Sequence, residues 1–447
     1  MADQDLLIGY KGGASTINQL SVISNKTKKP IDISAGISDL YYYESVLQET
    51  IKVQLMFSDT GVTDLEGKTV LEGLPIVGQE KCRVVITDNS DNKLELDLYV
   101  DKINPVFQDA RKNMVELDLV SREYILNEKT RLNCRFDGKI SNHIQKILTD
   151  KKFLDSQKSL NIEDTENNYN FIGNNRKPFY ACTWLSKKSI PNVSGAKGNS
   201  AGYFFWETSK GFNFKSIEKI LSTPPVKKLI YNETPDGRGE SIPEGYDGKI
   251  VELSLDTTND VKKKLESGAY STRIILFDPF NCYYEVLNPK SSSSEKNLKL
   301  AGKELPVLNK EFDRVGQGDQ DYSRTTYMLI DKGTLPVGST KEQINKSKEQ
   351  NFDPKNILNQ STMRYNQLFT VRLTITIPGD FSLHAGDSIF VDTPEVADKK
   401  LKETSKEFGG IYMIADLCHY ITPRRTFTKL NLVRDSYGRK APSRIPL

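Results

Sequence analysis

Hydrophobic and polar positions alternate with period two in several stretches of the first 125 or so residues. Ile51, Val53, Leu55 and Phe57 are separated by Lys52, Gln54 and Met56; Leu94, Leu96, Leu98 and Val100 by Glu95, Asp97 and Tyr99; Val115, Leu117 and Leu119 by Glu116 and Asp118. Such alternation puts one side of each strand in a core and the other in water or against a partner, as antiparallel sheets do. It predicts a β-domain over residues 1–126.

The period changes after Tyr124. Ser141 reads as a helix cap, with Ile144, Ile147 and Leu148 at helical spacing behind it. Pro178 opens a second helical run in which Tyr180 and Trp184, or Ala181 and Leu185, are four apart. The polar, Asn-rich stretch 161–177 between them reads as a surface loop. Gly202 to Trp206 and Gly211 to Phe214 read as a hairpin, and Ser216 to Leu221 as a short helix. Residues 127–224 are therefore expected to form a mixed α+β middle domain.

Strands return from Ile250, where Val251, Leu253 and Leu255 alternate with Glu252 and Ser254. A helix over 260–267 and an apolar strand over 272–277 follow. Ser291 to Ser294 open a polar stretch to about Asn359 that reads as a surface insertion, with its main apolar run at Tyr327 to Ile330. The last β region begins near Phe369. Val371, Leu373, Ile375 and Ile377 alternate with Arg372, Thr374 and Thr376, and 388–391, 411–421 and 427–433 supply further strands.

The two β regions share an order of elements. Strand 51–57 leads through Gly73 to Gly78 to strand 83–87, then to 94–100, and closes on Leu117 to Tyr124. Strand 371–377 leads through Asp380 to Gly386 to 387–391, then to 411–421, and closes on Leu430 to Tyr437. The closing segments align without a gap: Leu117 with Leu430, Asp118 with Asn431, Leu119 with Leu432, Val120 with Val433 and Tyr124 with Tyr437. This is the mark of an internal duplication. Three copies of a chain with two similar barrels could place six barrels around one axis.

Composition narrows the chemistry. The 447 residues carry 62 Lys and Arg against 59 Asp and Glu, a net +3, which lacks the basic footprint of a dedicated duplex-DNA binder. No run approaches the roughly 18 consecutive apolar residues of a membrane-spanning helix, and a secretory signal is not expected at the N-terminus. The five cysteines are scattered without a CxxC pair, as free thiols are. With three histidines (His143, His384 and His419), metal and general-base chemistry has few candidates.

Asp380 and Asp387 bracket a Gly-containing turn; they could hold a cation, but Asp is a common turn residue that bonds its own backbone. Cys418 and His419 are neighbours on one strand, so their side chains point to opposite faces, which defeats a nucleophile-base pair. Tyr41-Tyr42-Tyr43 could stack on a sugar or a base, but such a run more often packs at a strand edge or subunit interface. Trp184 and Trp206 read as core anchors of the middle domain. Gly67-Lys68-Thr69 lacks the earlier glycine of a phosphate-binding loop, since Val62 stands there. No GxGxxG, HExxH or GxSxG pattern occurs. Hence no catalytic, cofactor-binding or metal residue is assigned, no cofactor is expected, and the chain is read as a non-enzyme.

Taken together, Leu74 to Gly78, Phe179 to Leu185, Gly202 to Trp206, Gly211 to Phe214, Gly268 to Ser271, Thr376 to Asp380, Leu383 to Asp387, Gly410 to Ile414 and Leu432 to Tyr437 give the chain its likeness. It resembles the baseplate hub protein of contractile-tailed bacteriophages of the T-even type, especially relatives infecting cyanobacteria. The resemblance covers most of the chain apart from the polar insertion.

It implies a mainly β fold with α+β: two tube-like antiparallel β-barrel domains (1–126, and 225–290 with 360–437), the mixed middle domain 127–224, the polar insertion 291–359 and a C-terminal tail 438–447. It further implies a homotrimer in the virion tail baseplate, assembled in the host cytoplasm. Its pseudo-hexameric ring would adapt the hexameric tail tube, or tube-initiator proteins, to the trimeric central spike beside other baseplate proteins. DNA and tape-measure protein would pass through the lumen without specific binding, and no membrane span is involved. Two alternatives stay open: a tail-associated glycoside hydrolase, since two carboxylates suffice and have no fixed spacing, and a carbohydrate-binding adhesin using exposed aromatics.

Overall fold

A computed structural model describes residues 13–26, 28–59, 76–108, 113–192, 201–231, 248–256, 260–279, 282–288, 299–312, 322–331, 333, 338–347, 351, 357, 359–393, 405 and 407–439. The Gly67-Lys68-Thr69 segment, Leu74-Pro75 and the serine run 291–294 lie outside the described residues.

The alternating stretches are strands. The first barrel comprises β1 (Thr16–Ile23), β2 (Pro30–Asp32), β3 (Ile37–Ser45), β4 (Lys52–Asp59), β5 (Lys81–Thr87), β6 (Lys93–Gln108) and β7 (Asn113–Val120). The middle region follows as α1 (Arg122–Lys129), β8 (Arg135–Phe136), α2 (Ile140–Thr149), β9 (Leu160–Ile162), β10 (Phe171–Ile172), α3 (Pro178–Ser186), the hairpin β11 (Tyr203–Thr208) and β12 (Gly211–Ser216), and α4 (Ile217–Ser222). Beyond it lie β13 (Lys228–Ile230), β14 (Glu252–Asp256), α5 (Val261–Ser267), β15 (Arg273–Asp278), β16 (Tyr283–Leu287), β17 (Gly302–Glu304), β18 (Thr325–Leu329), α6 (Thr340–Ser347) and α7 (Asn359–Leu368). The second barrel is completed by β19 (Val371–Pro378), β20 (Ser388–Asp392), β21 (Gly410–Ile421) and β22 (Thr426–Arg434), and β23 (Tyr437–Arg439) ends the described chain. The fold is mainly β with α+β: two tube-like antiparallel barrels and a mixed middle domain.

Both barrels belong to one 13-stranded sheet, whose main path runs β14-β19-β22-β21-β3-β4-β7-β6-β5-β1-β2, with β20 and β13 branching from β21. One apolar core runs under both, from Leu20, Leu55 and Leu117 to Leu373, Ile375 and Leu430. The duplication is visible in the hydrogen-bond ladders. Lys52, Val53, Gln54 and Leu55 face Val120, Leu119, Asp118 and Leu117; Arg372, Leu373, Thr374 and Ile375 face Val433, Leu432, Asn431 and Leu430. This register matches, pair for pair, the gapless alignment of the closing segments.

Two further details repeat. A β-bulge interrupts β6 between Val100 and Lys102, opposite Leu119 and Asp118, and interrupts β21 between Ile414 and Asp416, opposite Leu432 and Asn431. Before the bulge, Val100 and Gln79 exchange backbone bonds with each other's neighbourhood, as Ile414 does with Gly386 and Asp387: Gln79 N–H donates to Val100 O (2.7 Å) and Val100 N–H to Glu80 O, while Gly386 N–H donates to Ile414 O (2.8 Å) and Ile414 N–H to Asp387 O. Gln79 and Gly386 both have positive φ, 68° and 86°. A bulge that inserts one residue bends its strand and strengthens local twist, so its repetition gives the two barrels the same curvature.

Several expectations need correction. Ser141 is not a helix cap: α2 starts one residue earlier, at Ile140, and the Ser141 hydroxyl instead donates to Asp164. The 161–177 stretch is not merely a surface loop. Thr165, Tyr169, Asn170 and Phe171 are buried, and Phe171 stacks on Phe136 at 4.8 Å to form the middle core with α2 and α3. Its polarity is spent on local turns while its few apolar residues carry the packing. By contrast α3 begins at Pro178, and Ser216 caps α4 by accepting from Lys219 N–H, as expected.

Residues after β14 form a separate three-stranded sheet, β16-β15-β18, and the insertion is anchored twice. β17 pairs with β23, with Ala301 and Gly302 amides donating to Asp435 and Ser436. Further along, Tyr169 of the middle core donates to Asp331, and Asn170 and Asn351 exchange two bonds of 2.7 and 2.9 Å. Among the described residues no helix is long and apolar enough to cross a membrane.

Leu373 is 2% exposed and lies between Leu255 and Leu432 in the ladder. Leu373→Asp should cost more than about 4 kcal/mol, because a buried charge without a partner adds to the lost apolar burial. Urea unfolding should show the loss; a midpoint within error of wild type would contradict the core assignment.

Candidate functional site at the seam between the two barrels

The two barrels meet where β21 pairs antiparallel with β3: Asp416 with Ser45, Leu417 with Glu44, Cys418 with Tyr43, His419 with Tyr42, Tyr420 with Tyr41 and Ile421 with Leu40. Ring pairs lace this seam on both faces. On the polar face Tyr41 stacks on Tyr420 at 4.7 Å, with Tyr43 beyond it at 6.2 Å. On the core face Tyr42 stacks on His419 at 5.6 Å, and Phe381 meets the same imidazole edge-on at 4.8 Å. Directly opposed aromatic pairs are the sheet's strongest cross-strand contacts, at roughly 0.5–1 kcal/mol each. The tyrosine run thus packs at a strand junction, with its middle residue in the core.

Leu40, Tyr42 and Glu44 share one face of β3, so the strand's own alternation drives a carboxylate into the interior. Glu44 is 2% exposed and fully engaged. Its Oε1 accepts from Tyr42 Oη (2.5 Å) and Ser209 N–H (2.9 Å) and meets His384 Nδ1 (3.2 Å); its Oε2 accepts from Ala385 N–H (2.8 Å). Ser209 is the tip of the middle hairpin, and His384 and Ala385 form the turn of the second barrel. One carboxylate therefore binds three parts of the chain. Burial works to raise the Glu44 pKa, but the His384 imidazole, the Tyr42 hydroxyl and the Ser209 amide overcome it and hold the carboxyl below its usual range.

The same turn holds Trp206, whose Nε1–H donates to Ala385 O (2.9 Å). A Cβ at Gly386 would lie 2.3 Å from the Trp206 indole, and φ there is +86°, so both space and backbone demand glycine. Trp206 is thus an anchor between domains, packed with Val46, Met413, Ala415 and Val433. Trp184 is half-buried in the middle core, edge-on to Tyr169 and Phe171. It lies beneath the Arg176 guanidinium (4.4 Å) and the Lys188 ammonium (4.9 Å), and burial pushes Lys188 down to about 8. Asp331 of the insertion counters that shift, which is the electrostatic content of its docking there.

The other candidates fall into place around this seam. Asp380 accepts from Lys227 Nζ (2.6 Å) and from Ser382, and Asp387 accepts from His384 N–H (2.9 Å). Both carboxylates are thus spent on turn and cross-chain bonds, and among the described residues no cluster of three or more His, Cys, Asp or Glu could hold a metal ion. His419 lies in the core against Thr428 Oγ1 (2.8 Å), while Cys418 points to the opposite face. His143 is buried against Tyr169 O (2.8 Å).

Two buried carboxylates, Glu123 and Glu207, share Lys158, which lies 2.8 Å from Glu123. Their side chains are 3% and 0% exposed, and Glu207 also accepts from Ile51 N–H of the first barrel (3.3 Å). A cleft of about 810 Å³ does open on the polar face of the seam, lined by Tyr41, Tyr43, Lys52, Asp101, Asp118, Asp416 and Lys429 among others. Asp416 there is tied to Ser45 (2.5 Å) and Asn431 (3.3 Å).

The sequence did not single out Glu44, although its inward parity with Leu40 and Tyr42 carried the signal: a lone charge in a core register needs partners from elsewhere.

This architecture has solved counterparts. Over nearly its whole length the chain is similar to the crystal structure of a tail protein from Neisseria meningitidis MC58, at 12% identity, 93% coverage of this chain and 96% of that one, and a TM-score of 0.51. It is also similar to the 43 kDa tail protein of prophage MuSo2 from Shewanella oneidensis, at 10% identity, 94% and 98% coverage, and a TM-score of 0.51. The chain thus has the fold of phage tail proteins. No family model matches its sequence, and no curated protein matches it.

The seam should be acid-sensitive. Burial pushes His419 down to about 4, against the pull of the Glu44 and Asp380 carboxylates. The unfolded chain takes up a proton near pH 6.5 that the folded imidazole refuses until about pH 4, so stability is present above pH 6.5 and falls on the way down. Glu44, held low, adds a loss at still lower pH, below the ordinary carboxylate range. One such proton is worth at most about 1.4 kcal/mol per pH unit. His419→Gln should flatten the decline of Tm between pH 6.5 and 4.5; an unchanged slope would show that His419 is not held neutral.

Proposed function

We propose that the chain is a structural hub of a contractile phage tail, similar to the T-even type. In this reading it is a homotrimer whose pseudo-hexameric ring adapts the hexameric tail tube to the trimeric central spike in the virion baseplate. Strands β1–β7 of the first barrel and β13, β14 and β19–β22 of the second supply the six ring segments of the trimer, whereas β15 and β16 of the 225–290 stretch stand apart in their own sheet with β18, and the role is mechanical, not catalytic.

One observation carries the reading. Inside the chain, the two repeats are already joined edge to edge, β21 on β3, and the sheet that results is left with the same two kinds of edge free. In the repeat register β6 corresponds to β21 and β14 to β3. Among the described residues no strand pairs with the outer side of β6 beyond Val100, where Val106 and Phe107 are 52% and 51% exposed, nor with the outer side of β14. Leu253 and Leu255 of β14 are half-buried, whereas their equivalents Leu40 and Tyr42 are fully covered. Unpaired edges are liabilities that proteins cover or use. Repeating the internal seam between copies closes a heterologous ring without leaving an edge.

Symmetry then sets the register between copies. Cys418 opposite Tyr43 becomes Asn104 opposite Asp256, His419 opposite Tyr42 becomes Pro105 opposite Leu255, and Tyr420 opposite Tyr41 becomes Phe107 opposite Ser254. Pro105 brings no N–H to the edge, which blunts it against promiscuous partners.

The polar face of the eight central strands would line the lumen. It carries Lys52, Lys102, Arg372 and Lys429 against Glu116, Asp118, Glu252, Asp256 and Asp416. Such a face lacks the cation surplus that grips phosphate, as suits a channel through which DNA and tape-measure protein pass. Tube proteins above and the spike below are the partners this arrangement serves.

The register is testable by cross-linking. In a Cys282→Ser background, which removes the exposed thiol, Asn104→Cys combined with Asp256→Cys should give covalent dimers and trimers on mild oxidation. Tyr43→Cys opposite native Cys418 is the internal control. Cross-linking of the control without any intermolecular product from the pair would contradict the ring.

A further inference from the structure

The separate sheet β16-β15-β18 has one uncovered face. Register pairs place Ile275, Val286 and Tyr327 side by side, and likewise Phe277, Tyr284 and Leu329. Phe277 is 41% exposed, Tyr284 66%, Tyr327 76% and Leu329 67%, while Ile274 and Leu276 on the opposite face are buried. Three rings and a leucine on one flat face make a patch on the order of several hundred Å², larger than isolated surface apolars account for.

We infer that this face docks on the first barrel of the neighbouring copy, beside the seam that β14 makes with it; the inference rests on the ring proposed above. Two observations choose that occupant. The first is continuity. β14 ends at Asp256 and β15 begins at Arg273, with α5 the one described element between them, so the face is carried by the element next to the copy-to-copy seam.

The second is the internal seam itself. There the segment flanking β21, with Ala385, Met413 and Ala415, lies buried beneath Trp206, Ile217 and Ile220 of the middle region. The first barrel's equivalents are Gly78, Tyr99 and Asp101, through the shared bonds of Gln79 with Val100 and Gly386 with Ile414. Among the described residues they belong to none of the apolar clusters: Val77 beside them is 77% exposed and Tyr99 is half-buried. At the seam between copies, Val77 and Tyr99 of one chain, with the exposed Asp101 beside them, therefore meet the exposed rings of the next. The two patches differ, as a heterologous ring interface requires. Together with the edge ladder they bring the contact towards the roughly 800 Å² per partner of a stable interface.

The test uses the full chain. Photo-reactive benzoylphenylalanine in place of Tyr327 should, on irradiation, give dimers and trimers whose adducts map to residues 76–101 of another copy. Tyr327→Ser with Leu329→Ser, both exposed, should weaken trimer association at least tenfold by sedimentation while leaving the monomer's unfolding midpoint unchanged. If the Asn104→Cys and Asp256→Cys seam cross-links but position 327 gives no intermolecular adduct, the docking inference fails and the ring stands. If neither cross-links and the chain sediments as a monomer, both fail.

Discussion

The carboxylate of Glu44 sits inside the protein at the meeting point of three units, and the rest of the architecture is arranged around keeping it satisfied. It comes from β3 of the first barrel, takes an imidazole and an amide from the turn of the second, and takes another amide from the tip of the middle hairpin. A buried charge is tolerated only when hydrogen bonds replace the water it has lost. Any sliding of one barrel against the other, or lifting of the middle hairpin, would strand it. The carboxylate thus converts two homologous barrels and a third domain into one rigid unit. The Trp206 bond to Ala385 and the glycine beneath its indole fasten the same turn from the other side.

Rigidity at that seam matters to the proposed ring, in which the seam would serve as a template. A duplicated chain has two choices for its repeats: to separate them on a linker or to join them in a fixed rotation. Here the ladder of β21 on β3 fixes the rotation, and the repeated bulges give both halves one curvature. A unit with a fixed turn and, among the described residues, an unpaired edge of each kind at its ends would be the minimal element of the proposed closed ring. Mechanical load along such a ring would be borne by backbone ladders and by stacked rings, not by mobile side chains.

Much of the fold was legible because period-two alternation is a direct image of a sheet with one buried side. Val371 to Ile377 and Ile51 to Phe57 are strands in the register that the alignment of Leu117 with Leu430 implied. The middle domain was harder. Residues 161–177 read as loop since asparagines outnumber apolar residues there, yet Tyr169 and Phe171 complete a core whose other walls are distant in sequence. Ser141 failed as a cap for a similar reason, its hydroxyl being claimed by Asp164 across the domain. The seam was the least legible element of all. Its partners are 340 residues apart for Glu44 and His384, and nothing local distinguishes a charge destined for a three-way junction from one on a solvated strand, except its parity.

The number of chains that assemble decides between ring and monomer. Light scattering of the purified protein across a range of concentrations should give three times the chain mass of 50.5 kDa. A clean monomer at the highest concentration would mean that the outer edges of β6 and β14 do not complete one another.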